Sequence, residues 1–153
     1  MLEMRKAMSA YKHIQNTPQS EPDWFEALVS LARYLRSPEG CPWDRKQTAR
    51  NFAEFAREEA AELVAAFGES DADVHIEEEW GDALFTLLAT AAAAETEGRF
   101  TLRRALERAH EKMIRRHAHI FGEHAADTPE DVVDVWNKIK TQERDERGQC
   151  TEP

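Results

Sequence analysis

Glu59 and Glu62 stand three residues apart, as do Glu79 and Asp82, with sixteen residues between the pairs. The first pair lies in a helix-compatible stretch where positions 52, 55, 59, 62 and 66 follow a 3-4-3-4 rhythm. Both acids therefore share a stripe with Phe52, Phe55 and Ala66 and are expected towards the core side. The second pair continues through Thr86, Ala89 and Ala93 into the uncharged run from Ala83 to Ala94, which reads as a central helix. Burying one ionised carboxylate is costly, and four close together add repulsion unless cations compensate or some are protonated. Hard divalent cations prefer carboxylate oxygens, so an antiparallel hairpin of the two helices turns the four acids into a magnesium or manganese cage. On spacing alone, a solvated acidic face of Glu58, Glu59, Glu77, Glu78 and Glu79 explains the same residues equally well.

The cationic residues that chemistry on phosphates requires lie further along. Lys112 and Arg116 are spaced i, i+4 with Arg115 beside them, and Trp136 and Lys140 repeat that spacing. Together they offer ammonium and guanidinium groups for phosphates and a ring for stacking a base. Taken singly, Trp136 serves equally as a core anchor with Val132, Val133 and Ile139. His117 and His119 sit at an expected helix end, where histidine complements the dipole. Cys41-Pro42-Trp43-Asp44 reads as a buried loop plug, and Cys41 has no sequence-near histidine to activate it.

Five helices must position these groups, and no run shows the period-2 alternation of strands. They are expected from about Ser20 to the Ser37-Pro38-Glu39-Gly40 break, Thr48 to Phe67, Val74 to Glu97, Thr101 to His117, and Asp127 to Arg147. Gly68 to Asp73 is turn chemistry. The fold class is all α, a helical bundle around an antiparallel core hairpin. Residues 1–20 form a mobile lead-in, 21–147 a single helical domain and 148–153 a frayed tail.

The chain has 153 residues, and its 30 acidic against 20 basic residues give a formal net charge of −10. Such a chain is repelled by nucleic-acid backbone and anionic membrane surfaces. The two cysteines form no CxxC pair, so neither a disulfide framework nor a zinc site is indicated. The N-terminal stretch has no continuous apolar core and does not read as a secretory signal, and no run reaches the roughly 20 apolar residues needed to span a bilayer. A cytoplasmic location is expected.

Six ordered motifs, GCPWDRKQT at 40–48, EEAAEL at 58–63, EEWGDALF at 78–85, EGRF at 97–100, KMIRRHAHIFG at 112–122 and WNKIKTQER at 136–144, make the chain resemble the MazG family of nucleoside triphosphate pyrophosphohydrolases. The likeness runs from about Trp24 to Arg144 and implies one such domain. It implies cleavage of a nucleoside triphosphate to the monophosphate and pyrophosphate. Glu59, Glu62, Glu79 and Asp82 match the family's magnesium-binding acids, and Lys112, Arg116, Trp136 and Lys140 its nucleotide contacts. The carboxylate that orients or deprotonates water is then Glu59 or Glu62, with Glu58 a weaker candidate. The resemblance also implies a homodimer or homotetramer. Ala61, Trp80, Thr86 and Ala118 depart from the family pattern and leave substrate preference open. The alternative is a catalytically weak nucleotide sensor or helical scaffold that retains the fold.

Overall fold

The computed structural model describes residues 17–68 and 73–149. Among them the chain is all α, with helices α1 Glu21–Leu35, α2 Pro42–Lys46, α3 Ala49–Gly68, α4 Asp73–Thr96, α5 Leu102–Arg116, α6 Ala118–Phe121 and α7 Pro129–Gln149. The five long helices are those the spacing predicts. The expected lead-in over 1–20, tail over 148–153 and turn over 68–73 fall mainly on residues outside those described. The chain divides into two compact units, Met1–Leu102 and Arg103–Pro153. Among the described residues no helix is long and apolar enough to cross a membrane.

Local chemistry sets the helix limits in the first unit. Ser20 Oγ accepts the Asp23 N–H at 3.4 Å, and Pro22 sits in the first turn of α1, where its missing N–H costs nothing. After α1 the chain doubles back tightly, with the Cys41 N–H donating to Leu35 O at 2.8 Å. Gly40 is required at this turn, because a Cβ there would collide with the carbonyl oxygens of Tyr34 and Leu35. Thr48 Oγ1 caps α3 by accepting the Asn51 N–H at 3.1 Å, and Glu97 reaches across to accept the Ala49 N–H at 2.7 Å. Helix α4 ends in a Schellman motif. Gly98 takes φ 68°, the Arg99 N–H donates to Ala94 O at 2.9 Å, and the Gly98 N–H donates to Glu95 O at 3.1 Å.

Helix α4 is central in this unit, as its uncharged run predicts. One side carries Ala89 and Ala93 against Phe52 of α3, and another carries Leu88 and Ala92 against Ala32 of α1, with Phe25, Leu28 and Leu102 closing over them. Small side chains let the helices approach closely. Phe52 opposes Ala89 and Ala93, whereas Glu59 lies near Glu79 and Asp82, so α3 and α4 run antiparallel. Glu95 ties the unit together. It takes two hydrogen bonds from Arg33 of α1, both 2.9 Å, and the Leu102 N–H at 2.9 Å.

The segment expected to be a buried loop plug is the short helix α2, and Trp43 is 54% exposed. Pro42 opens α2, and Arg36 Nη1 closes its far end through the carbonyls of Asp44 at 2.6 Å and Gln47 at 3.0 Å. Trp43 stacks on Phe55, with centroids 5.7 Å apart, and meets Phe52 edge-on. It therefore covers the aromatic end of α3 rather than filling the core.

In the second unit Thr128 and Asp131 form a reciprocal cap on α7. The Asp131 N–H donates to Thr128 Oγ1 at 3.2 Å and the Thr128 N–H to Asp131 Oδ2 at 3.1 Å. Helix α5 gives way to the single turn α6 at His117, whose Nδ1 donates to Met113 O at 2.7 Å. That contact matches the helix-end role expected of this histidine.

Candidate functional site

Two turns along α3 from Phe52, where α3 and α4 pass each other, Glu59, Glu79 and Asp82 each bring one carboxylate oxygen within 4.8 Å of the others. Glu59 and Glu79 are half-buried, and Asp82 is exposed. Glu62 is exposed and lies outside this trio, so the expectation that it points to the core side is corrected. The i, i+3 step sets it about 60° around the helix from Glu59, which leaves the two acids neighbours on α3. Its charge still reaches Glu59. Partial burial, then the charges of Glu62, Asp82, Glu79 and Glu58, push the Glu59 carboxyl above its ordinary value. Glu58 is itself exposed and lies 4.0 Å from Arg57.

The donor set suits a small divalent cation. Three carboxylate oxygens within 4.8 Å are close to the roughly 4 Å that separates opposite ligands around magnesium, an ion that keeps several waters and takes only a few protein oxygens. The raised proton affinity of Glu59 marks the same need for positive charge. His75, one turn before Glu79, places Nδ1 3.6 Å from its carboxylate. The i, i+4 spacing of His75 from Glu79 is the sequence signal for this contact. Of the positions that depart from the family pattern, Thr86 turns its hydroxyl back onto Asp82 O at 2.9 Å and Trp80 is exposed.

In the second unit the cationic residues gather in a cleft of about 680 Å³ between α5 and α7. Arg108, Lys112, Arg115 and Arg116 line it together with Glu143 and Glu146. Lys112 and Arg116 thus meet, as their spacing predicts. Arg116 also lies over Trp136, its Cζ 5.2 Å from the ring centroid, and His117 meets the same ring edge-on. Lys140 lines a separate depression of about 340 Å³ with Asn137, Thr141 and Arg144. Glu143 was not anticipated from sequence. It takes hydrogen bonds from both Arg115 and Arg116, and those from Arg116 contribute most to holding its carboxyl below the ordinary value. Partial burial opposes them. Nothing in its local spacing marks it, because its partners are 27 and 28 residues away.

Residues 47–121 match the family model described as MazG nucleotide pyrophosphohydrolase domain. The chain is 42% identical over 120 residues to the nucleoside triphosphate pyrophosphohydrolase/pyrophosphatase MazG of Thermotoga maritima, covering 78% of this chain and 45% of that protein. It is 36% identical over 125 residues to a nucleoside triphosphate pyrophosphohydrolase of Escherichia coli, covering 81% of this chain and 47% of that protein. It is 41% identical over 120 residues to the uncharacterized protein YabN of Bacillus subtilis, covering 78% of this chain and 24% of that protein. The aligned region thus spans less than half the length of each of these relatives. No solved structure matches the chain.

Proposed function

The chain carries a MazG-type nucleotide pyrophosphohydrolase domain, and from that premise we propose that it hydrolyses nucleoside triphosphates to the monophosphate and pyrophosphate with magnesium, manganese serving as a substitute. The observation that carries this reading is the convergence of Glu59, Glu79 and Asp82 inside the matched segment. With Glu62 as the fourth acid, these residues would hold the cation. When bound, it offsets charge on phosphate oxygens and lowers the pKa of water.

The chain's own groups then have definable tasks. Glu59 or Glu62 orients the attacking water and accepts its proton, with Glu58 a weaker candidate because it faces solvent and Arg57. Lys112 and Arg116 offset the charge that develops on the leaving pyrophosphate. Trp136 and Lys140 are assigned to the nucleotide by the same motif correspondence. The reading includes a cytoplasmic protein that binds neither nucleic-acid polymers nor membranes, in keeping with a net charge of −10. It also includes a homodimer or homotetramer. Trp80 and Leu87 of α4 and Val64 and Phe67 of α3 are large apolar side chains exposed in the single chain, as self-association requires.

Pyrophosphate release measured across a panel of ribo- and deoxyribonucleoside triphosphates with Mg²⁺, for wild type, Glu62→Ala and Asp82→Ala, tests the proposal. Release by wild type that collapses in both variants supports it. Equal inertness of all three proteins with nucleotide still bound gives the answer to a sensor or scaffold.

A further inference from the structure

Arg116 is gripped from two sides within the second unit. Its Nε and Nη2 donate to Glu143 Oε2 at 3.1 and 2.7 Å, and its guanidinium lies over the Trp136 ring. Both the Arg116 and the Glu143 side chain are only 12% exposed. Arg115 closes on the other oxygen of the same carboxylate, with Nε at 2.9 and Nη2 at 2.7 Å. One acid of α7 therefore fixes two neighbouring guanidiniums of α5. Because the Nε/Nη2 edge of Arg116 is taken, its Nη1 side is the donor edge without a hydrogen bond among the described residues. Lys112, one turn earlier on α5, lines the same cleft, and Arg108 lies a turn before that.

We propose that Glu143 is a positioning residue: it fixes Arg116 so that the Nη1 edge is presented, beside Lys112, to a phosphate group of the substrate or of the leaving pyrophosphate. This rests on the reading that Lys112 and Arg116 contact substrate phosphates. A guanidinium already ordered by a carboxylate and a ring loses little further freedom when it binds an anion. Glu143 is thus an acid that strengthens anion binding in its own cleft. Coulomb attraction alone gives the opposite sign, since removing a negative charge from a cationic cleft favours phosphate.

Calorimetric titration of the full chain with inorganic pyrophosphate in the presence of Mg²⁺ separates the two. Four proteins are compared: wild type, Arg116→Ala, Glu143→Gln and the double variant. Arg116→Ala weakens binding. Glu143→Gln weakens it roughly tenfold, within the range for residues sharing one hydrogen-bond network, and adds nothing once Arg116 is gone. A merely structural role for Glu143 gives a penalty that persists in the Arg116→Ala background, and that result overturns the inference. So does unchanged or tighter binding by Glu143→Gln while Arg116→Ala binds weakly, which leaves the role of Arg116 intact. Unchanged binding by Arg116→Ala sinks both the inference and the reading beneath it. If circular dichroism shows Glu143→Gln to be unfolded, Glu143→Asp, which keeps the charge but shortens the reach, takes its place with the same expectations.

Discussion

Neutralising Asp82 should change the stability of the protein in opposite directions with and without metal. Asp82 has carboxylate neighbours in Glu59 and Glu79 within 4.8 Å. At that separation two unit charges repel by about 0.9 kcal/mol at the dielectric of water and about 3.5 kcal/mol at an effective dielectric of 20. Asp82 is exposed, so the lower figure governs and the two neighbours together give about 1–2 kcal/mol. Asp82→Asn keeps the shape and removes that repulsion. In EDTA its Tm should exceed that of wild type by about 2–8 °C, at roughly 2–4 °C per kcal/mol for a chain of this size. Magnesium at a hundredfold excess over its Kd stabilises wild type by about 2.7 kcal/mol. The variant, short of one ligand, gains much less, so the order of the two Tm values inverts. Differential scanning fluorimetry across a magnesium series reads both effects. A variant that is no more stable than wild type in EDTA, or that responds to magnesium as wild type does, refutes the claim that these carboxylates form one repelling, cation-seeking cluster.

Glu95→Ala removes a partly exposed ion pair with Arg33 and the acceptor for the Leu102 N–H; together these are worth about 1–2 kcal/mol, a fall in Tm of about 5 °C by the same scan. The pH dependence has a definite sign. Glu95 is held below its ordinary value chiefly by the Arg33 hydrogen bonds and Glu143 by those of Arg116. The stability they provide is complete above the ordinary value of 4.5 and is lost as pH falls through their lowered values. Chemical denaturation between pH 7 and pH 3 should therefore show a steeper loss in wild type than in Glu95→Gln, and parallel profiles would contradict this. Gly40→Ala forces a methyl group against backbone carbonyls of Tyr34 and Leu35 and should cost about 3 kcal/mol in urea unfolding; a change under 1 kcal/mol would show that the turn yields.

Much of this architecture is written in residue patterns. The Ser20-x-Pro22 start, the uncharged run through Ala83 to Ala94 and the Asp127 to Asp131 segment each point to the helix that forms there, because they act through local caps and burial. Spacing also brought out three acids that do converge. It set Glu62 on the core side, where the side chain is exposed, because how much of a helix face is covered is decided by the elements packed on it and not by spacing within the helix. Helix α2 escaped notice because its five residues depend on Arg36, eight to eleven positions away, to close their carbonyls. Glu143 stayed hidden for a related reason. Its role exists only once α5 and α7 pack together, and no short motif encodes that pairing.

The central claim is that the carboxylates of α3 and α4 hold the cation that drives pyrophosphate release. Phosphorus NMR of a nucleoside triphosphate incubated with the protein reads the products directly. Monophosphate and pyrophosphate are expected with Mg²⁺, with no turnover in EDTA and loss of turnover in Asp82→Ala while that variant still binds nucleotide. Formation of diphosphate and orthophosphate, or undiminished turnover in EDTA or in Asp82→Ala, would contradict that claim.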